Sequence, residues 1–526
     1  MLRTLSFCVL LAASLLPQPA QYDVLIHGGR IVDGTGAPWF VGDVAIRGDT
    51  IAAIGLLGGA QAARRIDASG LVVAPGFIDI HTHAERDVLE IPTADNYIRQ
   101  GVTTLMGGQC GGSPLPVRPF VEKLSRTPIS LNFGLFVGQG RIRQTVMALE
   151  NRKATEAEIE KMEELARQAM LDGAFGLSTG LFYVPGNYTP TEEVIEIAKV
   201  VGRLGGIHIS HMRDEAAGVA DSVRETIRIG EEGGLPTQVT HHKIIGVGNW
   251  GRSKETLQLV REARARGVDV TVDQYVYTAS STSISAIFPQ WASAGGGLRQ
   301  RLADSEQRAK IKAVIVDRLK HDRGGGDPKN IVMARCAADP GLAGKNLAEI
   351  TQARGRAVSF ENAAETMIEL HQEGGCQGIF HAMSEEDVER ILRFPFTMVG
   401  SDGQIPVFGE GNPHPRSYGV FTRVLGRYVR ERKALGLEEA VRKMTSLPAA
   451  RLKLFDRGLL RPGMKADVAV FDPARVTDKA TFAQPHQYAE GFSWVLVNGK
   501  PVVASGSVTQ ERPGRVLYGP AYQTAR

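Results

Sequence analysis

Residues 72–83 read Val72-Val73-Ala74-Pro75-Gly76-Phe77-Ile78-Asp79-Ile80-His81-Thr82-His83: an apolar run of strand character that ends in an acid and two histidines. The same idiom, a short apolar strand followed at once by polar and ionisable residues, returns downstream. Strands are predicted at 72–80, 102–106, 129–137, 175–181, 206–210, 237–240, 268–272 and 396–400. Amphipathic helices separate them. Segment 155–171 carries apolar residues at 3.6-residue spacing, and Thr191-Glu192-Glu193 opens another helix with a capping signature. Eight strand–helix alternations predict a TIM-like (β/α)8 barrel of the α/β class rather than an open doubly wound sheet. The gap between the seventh and eighth strands, 272 to 396, is too long for an ordinary crossover. It predicts an inserted lobe at 279–383 over the barrel mouth.

The flanks have a different rhythm. Asp23-Val24-Leu25-Ile26, a Gly28-Gly29 turn, Asp43-Val44-Ala45-Ile46 and Ile51-Ala52-Ala53-Ile54 alternate like short strands. Ala466-Asp467-Val468-Ala469-Val470-Phe471 and Trp494-Val495-Leu496-Val497-Asn498-Gly499 repeat the pattern near the other end. One small β-sandwich built from residues 21–74 and 461–526 follows, with the barrel occupying 75–460. The chain has 526 residues, more than one core usually holds, with 43% hydrophobic and 22% charged residues. Those fractions exclude a disordered chain and a polytopic membrane protein. With 61 basic against 57 acidic residues, and no basic stretch interleaved with aromatics, a nucleic-acid partner is not expected.

Residues 1–20 read as a secretory leader. Arg3 supplies a positive start, residues 5–16 a short apolar core ending before Pro17, and small residues near Ala20 a cleavage site. The core is too short to span a bilayer, so stable membrane insertion is not expected and the predicted location is periplasmic or extracellular. Loss of Cys8 with the leader leaves Cys110, Cys336 and Cys376, an odd number, so at least one lies outside any internal disulfide.

The chemistry lies just past the strand ends. The first strand is followed by His81-Thr82-His83, the second by Gly108-Gln109-Cys110, and the fifth ends in His208-Ile209-Ser210-His211. The sixth is followed by His241-His242-Lys243 and the eighth by Ser401-Asp402-Gly403. In a barrel of this kind all of these stand at the C-terminal mouth, where active sites are built. His81 and His83 are two apart in extended chain, so both can reach one ion. A His-x-His pair or a single cysteine is weak evidence alone. Joint placement at strand ends points to a metal site. Imidazole with thiolate favours zinc over magnesium or calcium, although iron and nickel accept the same ligands. His208 lies three residues from His211, and His242 one from His241, so each is expected to face away from its neighbour.

These residues resemble the amidohydrolase superfamily, through the 73–83 motif, the histidines after strands five and six, and Gly400-Ser401-Asp402-Gly403. Strand four, Phe175-Gly176-Leu177-Ser178-Thr179-Gly180-Leu181, lacks the lysine with which many members bridge two metals. Cys110 in Gly108-Gln109-Cys110-Gly111, Ser210-His211-Met212-Arg213-Asp214-Glu215, His241-His242-Lys243, Asn249-Trp250-Gly251-Arg252 and His414-Pro415-Arg416 resemble the N-acyl-D-amino-acid deacylases. The resemblance runs from Tyr22 to the C-terminus. It implies a tightly held zinc on Cys110, His211 and His241, and a weaker second position at His81 and His83 with Cys110 able to bridge. It further implies Asp402 as general base and acid, with Lys243, Tyr275 and Arg416 holding a small N-acyl amino acid. The oligomeric state is left open.

Three other readings share the architecture or the metal. A cyclic amidase would be expected to carry the missing lysine. A deaminase would use a glutamate near the strand-five histidine, and Glu215 stands four residues beyond His211. A barrel keeping zinc only for structure would more typically show four closed protein ligands. Mass spectrometry of the exported protein is expected to find its N-terminus near residue 20, and an intact Met1 in a cytosolic fraction would overturn the leader.

Overall fold

The computed structural model describes residues 21–524, and the expected leader at 1–20 lies outside them. Eight parallel strands form the barrel: β1 (Phe77–Asp79), β2 (Val102–Gly107), β3 (Asn132–Leu135), β4 (Gly176–Gly180), β5 (Ile207–His211), β6 (Thr237–Val239), β7 (Val270–Gln274) and β8 (Thr397–Val399). β1 pairs with β2 and β2 with β3. Val137–Gly138, the continuation of β3, pairs with β4, and pairing then runs in order through β5, β6 and β7 to β8. Just past the strand ends the ring closes. Thr82 bridges Gly403 in parallel, the Asp402 amide donates to the His81 carbonyl (2.7 Å), and the His83 amide donates to Gly403 (2.8 Å). Every residue of these strands is buried, as expected for parallel strands covered on both sides.

The strand expected at 72–80 is two strands. Val72–Pro75 pairs antiparallel with Val468–Phe471 in the other sheet, and only Phe77–Asp79 belongs to the barrel. Pro75 has no N–H to carry a ladder onward. Gly76 then turns the chain where a Cβ would lie 2.3 Å from the Thr103 side chain. The third strand, expected at 129–137, is likewise shorter and divided at Phe136.

Both chain ends contribute to one nine-stranded sheet. It branches at Tyr22–Ile31, which pairs with Phe40–Arg47 along one edge and with both Ala62–Asp67 and Val72–Pro75 along the other. Val44 and Ile46 from one limb share a core with Val468 and Leu496 from the other. Residues 461–526 do not all stay with this sheet. Gly514 approaches so close that a Cβ would meet the Leu131 carbonyl at 2.1 Å, and the chain beyond it follows β3, with Phe133 hydrogen-bonded to Arg515 and Leu517.

Between β7 and β8, the strands Ser280–Ser283, Cys376–Phe380 and Ile331–Cys336 form a separate antiparallel sheet. Helices Ser305–His321 and Phe360–Gln372 pack beside it, around Ile284, Ile315, Met333, Met367 and Phe380. Cys336 and Cys376 are disulfide-bonded, which leaves Cys110 as the free cysteine among the described residues. The bridge spans 40 residues of sequence, so loop-closure entropy gives it ~3–4 kcal/mol. Cys336→Ser with Cys376→Ser is therefore expected to lower the Tm of the lobe. Identical melting of the variant and the oxidised wild type would show that the bridge contributes nothing.

Candidate functional site

Each strand end delivers its side chain to one spot. His81 and His83 follow β1, Cys110 follows β2, His211 ends β5, His241 follows β6 and Asp402 follows β8. Three of these residues hold a left-handed backbone without being glycine: Cys110 (φ 54°), His241 (φ 33°) and Asp402 (φ 51°). Such conformations cost about 1–3 kcal/mol each and persist only where the surroundings enforce them. The enforcement is visible. The Asp402 amide is tied to His81, the His241 amide donates to Asp273 Oδ1 (2.7 Å), and Cys110 follows Gly108, where a Cβ would lie 2.1 Å from the Phe136 carbonyl oxygen.

The side chains form two clusters that share Cys110. In one, ligand atoms of His81, His83, Cys110 and Asp402 lie within 4.8 Å of one another; in the other, those of Cys110, His211 and His241 do. Cys110 Sγ is 3.6 Å from His81 Nε2 and 3.5 Å from His241 Nε2, and His241 Nε2 is 2.6 Å from His211 Nδ1. Asp402 Oδ1 is 3.2 Å from His83 Nε2 and 3.6 Å from His81 Nε2. Imidazole lone pairs and a thiolate turned on one another away from water are costly unless a cation or shared protons lie among them. The donor set of soft sulfur and imidazole nitrogen fits zinc.

Local electrostatics favour a thiolate. Burial alone would raise the Cys110 thiol, but His211 and His241 outweigh it and hold it well below the usual range. Burial, followed by the neighbouring His241, pushes His211 down to about 4, which leaves that imidazole neutral and able to ligate. For Asp402, burial is likewise outweighed, here by the Arg416 guanidinium, and the carboxyl sits well below the ordinary carboxylate range.

Arg416, Lys243 and Tyr275, also singled out from sequence, line the same mouth, and all are buried. Arg416 Nη1 lies 2.7 Å from Asp402 Oδ2, its Nη2 donates to the Ser281 carbonyl of the lobe (3.3 Å), and its guanidinium sits 4.8 Å from the Tyr275 ring centre. Lys243 Nζ is paired with Glu215 Oε1 and lies 2.7 Å from His241 Nδ1. His208 faces away into the barrel wall, between Thr179 (3.0 Å) and Thr237 (2.8 Å), and His242 contacts Thr256 (2.7 Å) on a helix outside the barrel.

Sequence reasoning passed over several groups that hold this arrangement. Asp273, on β7, lies 3.3 Å from His81 Nδ1 besides accepting from the His241 amide. Asp79 accepts from the amides of Ser401 (2.9 Å) and His81 (3.2 Å), and burial pushes its carboxyl up to about 7. Glu85 Oε2 accepts from the Gly108 amide (3.1 Å) and its Oε1 faces His83 Nδ1 at 3.9 Å. Arg323 reaches in from the lobe to Glu215 (3.1 Å). An acid near the C-terminal end of an apolar strand was the available signal for Asp273; nothing local marks Arg323.

The geometry has relatives. A model of the amidohydrolase family matches residues 143–503. A D-aminoacylase of Alcaligenes xylosoxydans xylosoxydans is 39% identical over 519 residues, spanning 94% of this chain and 97% of its own. A solved D-aminoacylase, studied for a binuclear metal centre with one-metal activation and second-metal attenuation, superposes with a TM-score of 0.81 at 36% identity, over 95% of this chain and 100% of its own. The N-acyl-D-glutamate deacylase of Bordetella bronchiseptica, complexed with zinc and a phosphonate mimic of the reaction's tetrahedral intermediate, superposes at 0.82 with 36% identity, over 94% of this chain and 99% of its own.

Proposed function

Because the chain belongs to the amidohydrolase family, and within it to the D-aminoacylases and N-acyl-D-amino-acid deacylases, we propose that it is a zinc-dependent hydrolase of N-acyl-D-amino acids, releasing a carboxylic acid and a D-amino acid. The observation that carries this reading is the juxtaposition of the Cys110 clusters with the Asp402–Arg416 pair at one barrel mouth. Cys110, His211 and His241 would hold the tight zinc, and His81 and His83 a weaker second one with Cys110 shared. Bound there, zinc supplies a Lewis acid toward the amide carbonyl and toward water.

The protein's own groups supply the rest. Asp402 Oδ1 stands beside His81 and His83 and takes the proton of the attacking water. It then delivers that proton to the leaving nitrogen, which could not depart as an amide anion. Arg416, stacked near Tyr275, presents a planar fork to the substrate's α-carboxylate. Lys243, whose Nζ lies 5.6 Å from the centre of the same Tyr275 ring, adds a second cation near that end of the site. The deaminase alternative needs Glu215 for its own chemistry, but that carboxylate is engaged by Lys243 and Arg323.

We also propose that the protein works outside the cytosol. The leader-like start and the Cys336–Cys376 disulfide both suit an oxidising compartment. Among the described residues no helix is long and apolar enough to cross a membrane.

Asp402→Asn is expected to lower turnover by ~10²–10⁴-fold while zinc content by elemental analysis stays near wild type. Retention of more than a tenth of wild-type turnover would remove Asp402 from the mechanism. Arg416→Ala should cost roughly 2–3 kcal/mol in kcat/KM for N-acyl-D-amino acids, and much less for an N-acyl amine that lacks the carboxylate. Equal losses on both substrates would mean that Arg416 acts through Asp402 rather than on the substrate.

A further inference from the structure

Behind the two histidines assigned to the tight zinc lies a carboxylate with no part in the mechanism above. Glu215, on the segment following β5, is 2% exposed. Its Oε1 lies 3.1 Å from His241 Nδ1 and is paired with Lys243 Nζ. Its Oε2 lies 3.1 Å from Arg323 Nη2 and faces His211 Nε2 across 3.9 Å. The nitrogen of each histidine that does not meet the other histidine is thus the one that turns toward Glu215.

The hydrogen on each ring decides what the other nitrogen can do. His241 presents Nε2 to Cys110 and to His211, so Nε2 can ligate only if the hydrogen sits on Nδ1. Two neighbours compete for Nδ1. Lys243 Nζ, at 2.7 Å, can only donate, and would force the hydrogen onto Nε2. Glu215 Oε1 can only accept, and holds it on Nδ1. Once Lys243 directs its protons to Glu215, the carboxylate is the group that sets the ring. His211 has the same polarity. Its Nδ1 meets His241, and its Nε2 has no hydrogen-bond partner and looks toward Glu215.

Resting on the zinc reading above, we propose that Glu215 is a positioning residue that keeps His211 and His241 in the tautomer whose lone pairs face the metal, with Lys243 and the lobe's Arg323 as its braces. Arg323 is itself fixed, its guanidinium 4.4 Å from the Phe182 ring centre, while the Phe182 ring stacks on His211 at 5.8 Å. The inserted lobe therefore supplies one of the two cations paired with this carboxylate in a buried place.

The quantity to measure is zinc affinity, by competition with a chromophoric chelator, because it does not depend on turnover. Glu215→Gln is expected to weaken zinc binding by ~10–100-fold, the usual effect of removing a carboxylate behind a ligating histidine. Glu215→Asp keeps the charge opposite Lys243 and Arg323 but draws it back by about 1.5 Å, one carbon–carbon bond; it should weaken binding in the same direction and decides the matter if the glutamine variant does not fold. Wild-type zinc affinity in a folded variant overturns the inference. A wild-type protein that binds no zinc overturns instead the reading on which it rests.

Discussion

Closure of the barrel between its last strand and its first is the contact on which the site depends. Two backbone hydrogen bonds, Asp402 to His81 and His83 to Gly403, join residues more than three hundred positions apart in sequence. Without them Asp402 has no reason to stand beside the His81–Thr82–His83 segment. Asp79 reinforces the seam from beneath by accepting from the Ser401 and His81 amides, so one buried carboxyl grips both sides of it. The remaining ligands come from β2, β5 and β6, whose positions follow once the ring is closed.

The bends that aim these side chains are strained, and the strain falls on the residues with chemistry to perform. Glycine would relieve a left-handed backbone at Cys110, His241 and Asp402, but glycine offers no thiol, imidazole or carboxylate. Burial of the strands beneath makes the conformations affordable, and groups such as Asp273 convert that rigidity into fixed imidazole planes. Orientation by neighbours is as much a part of this centre as the side chains that meet at Cys110.

The strand-end residues were legible because each lies directly after an apolar run, and a parallel barrel sends all such ends to one face. The alternation also separates His211 from His208, and His241 from His242. Two features were not legible. The break at Pro75-Gly76 lies inside a run that is apolar on both sides; Pro75 and Gly76 mark a bend there, but not that the two halves serve different sheets. The reach of Arg323 into the site depends on how the lobe folds over the mouth, and its neighbours Asp322 and Gly324 look like any helix-terminating turn. The Asp402–Arg416 pair falls between these cases. Both residues were named from sequence, but their direct contact follows only from the path of the loop between them.

Charge accounting ties the centre together. The carboxylates of Glu85, Glu215, Asp273 and Asp402, with the Cys110 thiolate, outnumber the buried cations Lys243, Arg323 and Arg416 around them. Buried charge of one sign is costly to leave uncompensated. In the protein alone the deficit falls on the first pair of histidines. Burial would lower both, yet the carboxylate of Asp273 raises His81 well above its usual value, and that of Asp402 brings His83 up to about 10. A divalent cation held by the same atoms would supply the missing positive charge and displace those protons, as metal binding to imidazole and thiolate does in general. It would also make the mouth more attractive to an anion. An N-acyl amino acid arrives carrying one negative charge on its α-carboxylate, whereas the amino acid that leaves has gained a protonated amine and is neutral overall. The attraction that draws substrate toward Arg416 is therefore weaker for the amino-acid product, so the same electrostatics that favour binding also favour release.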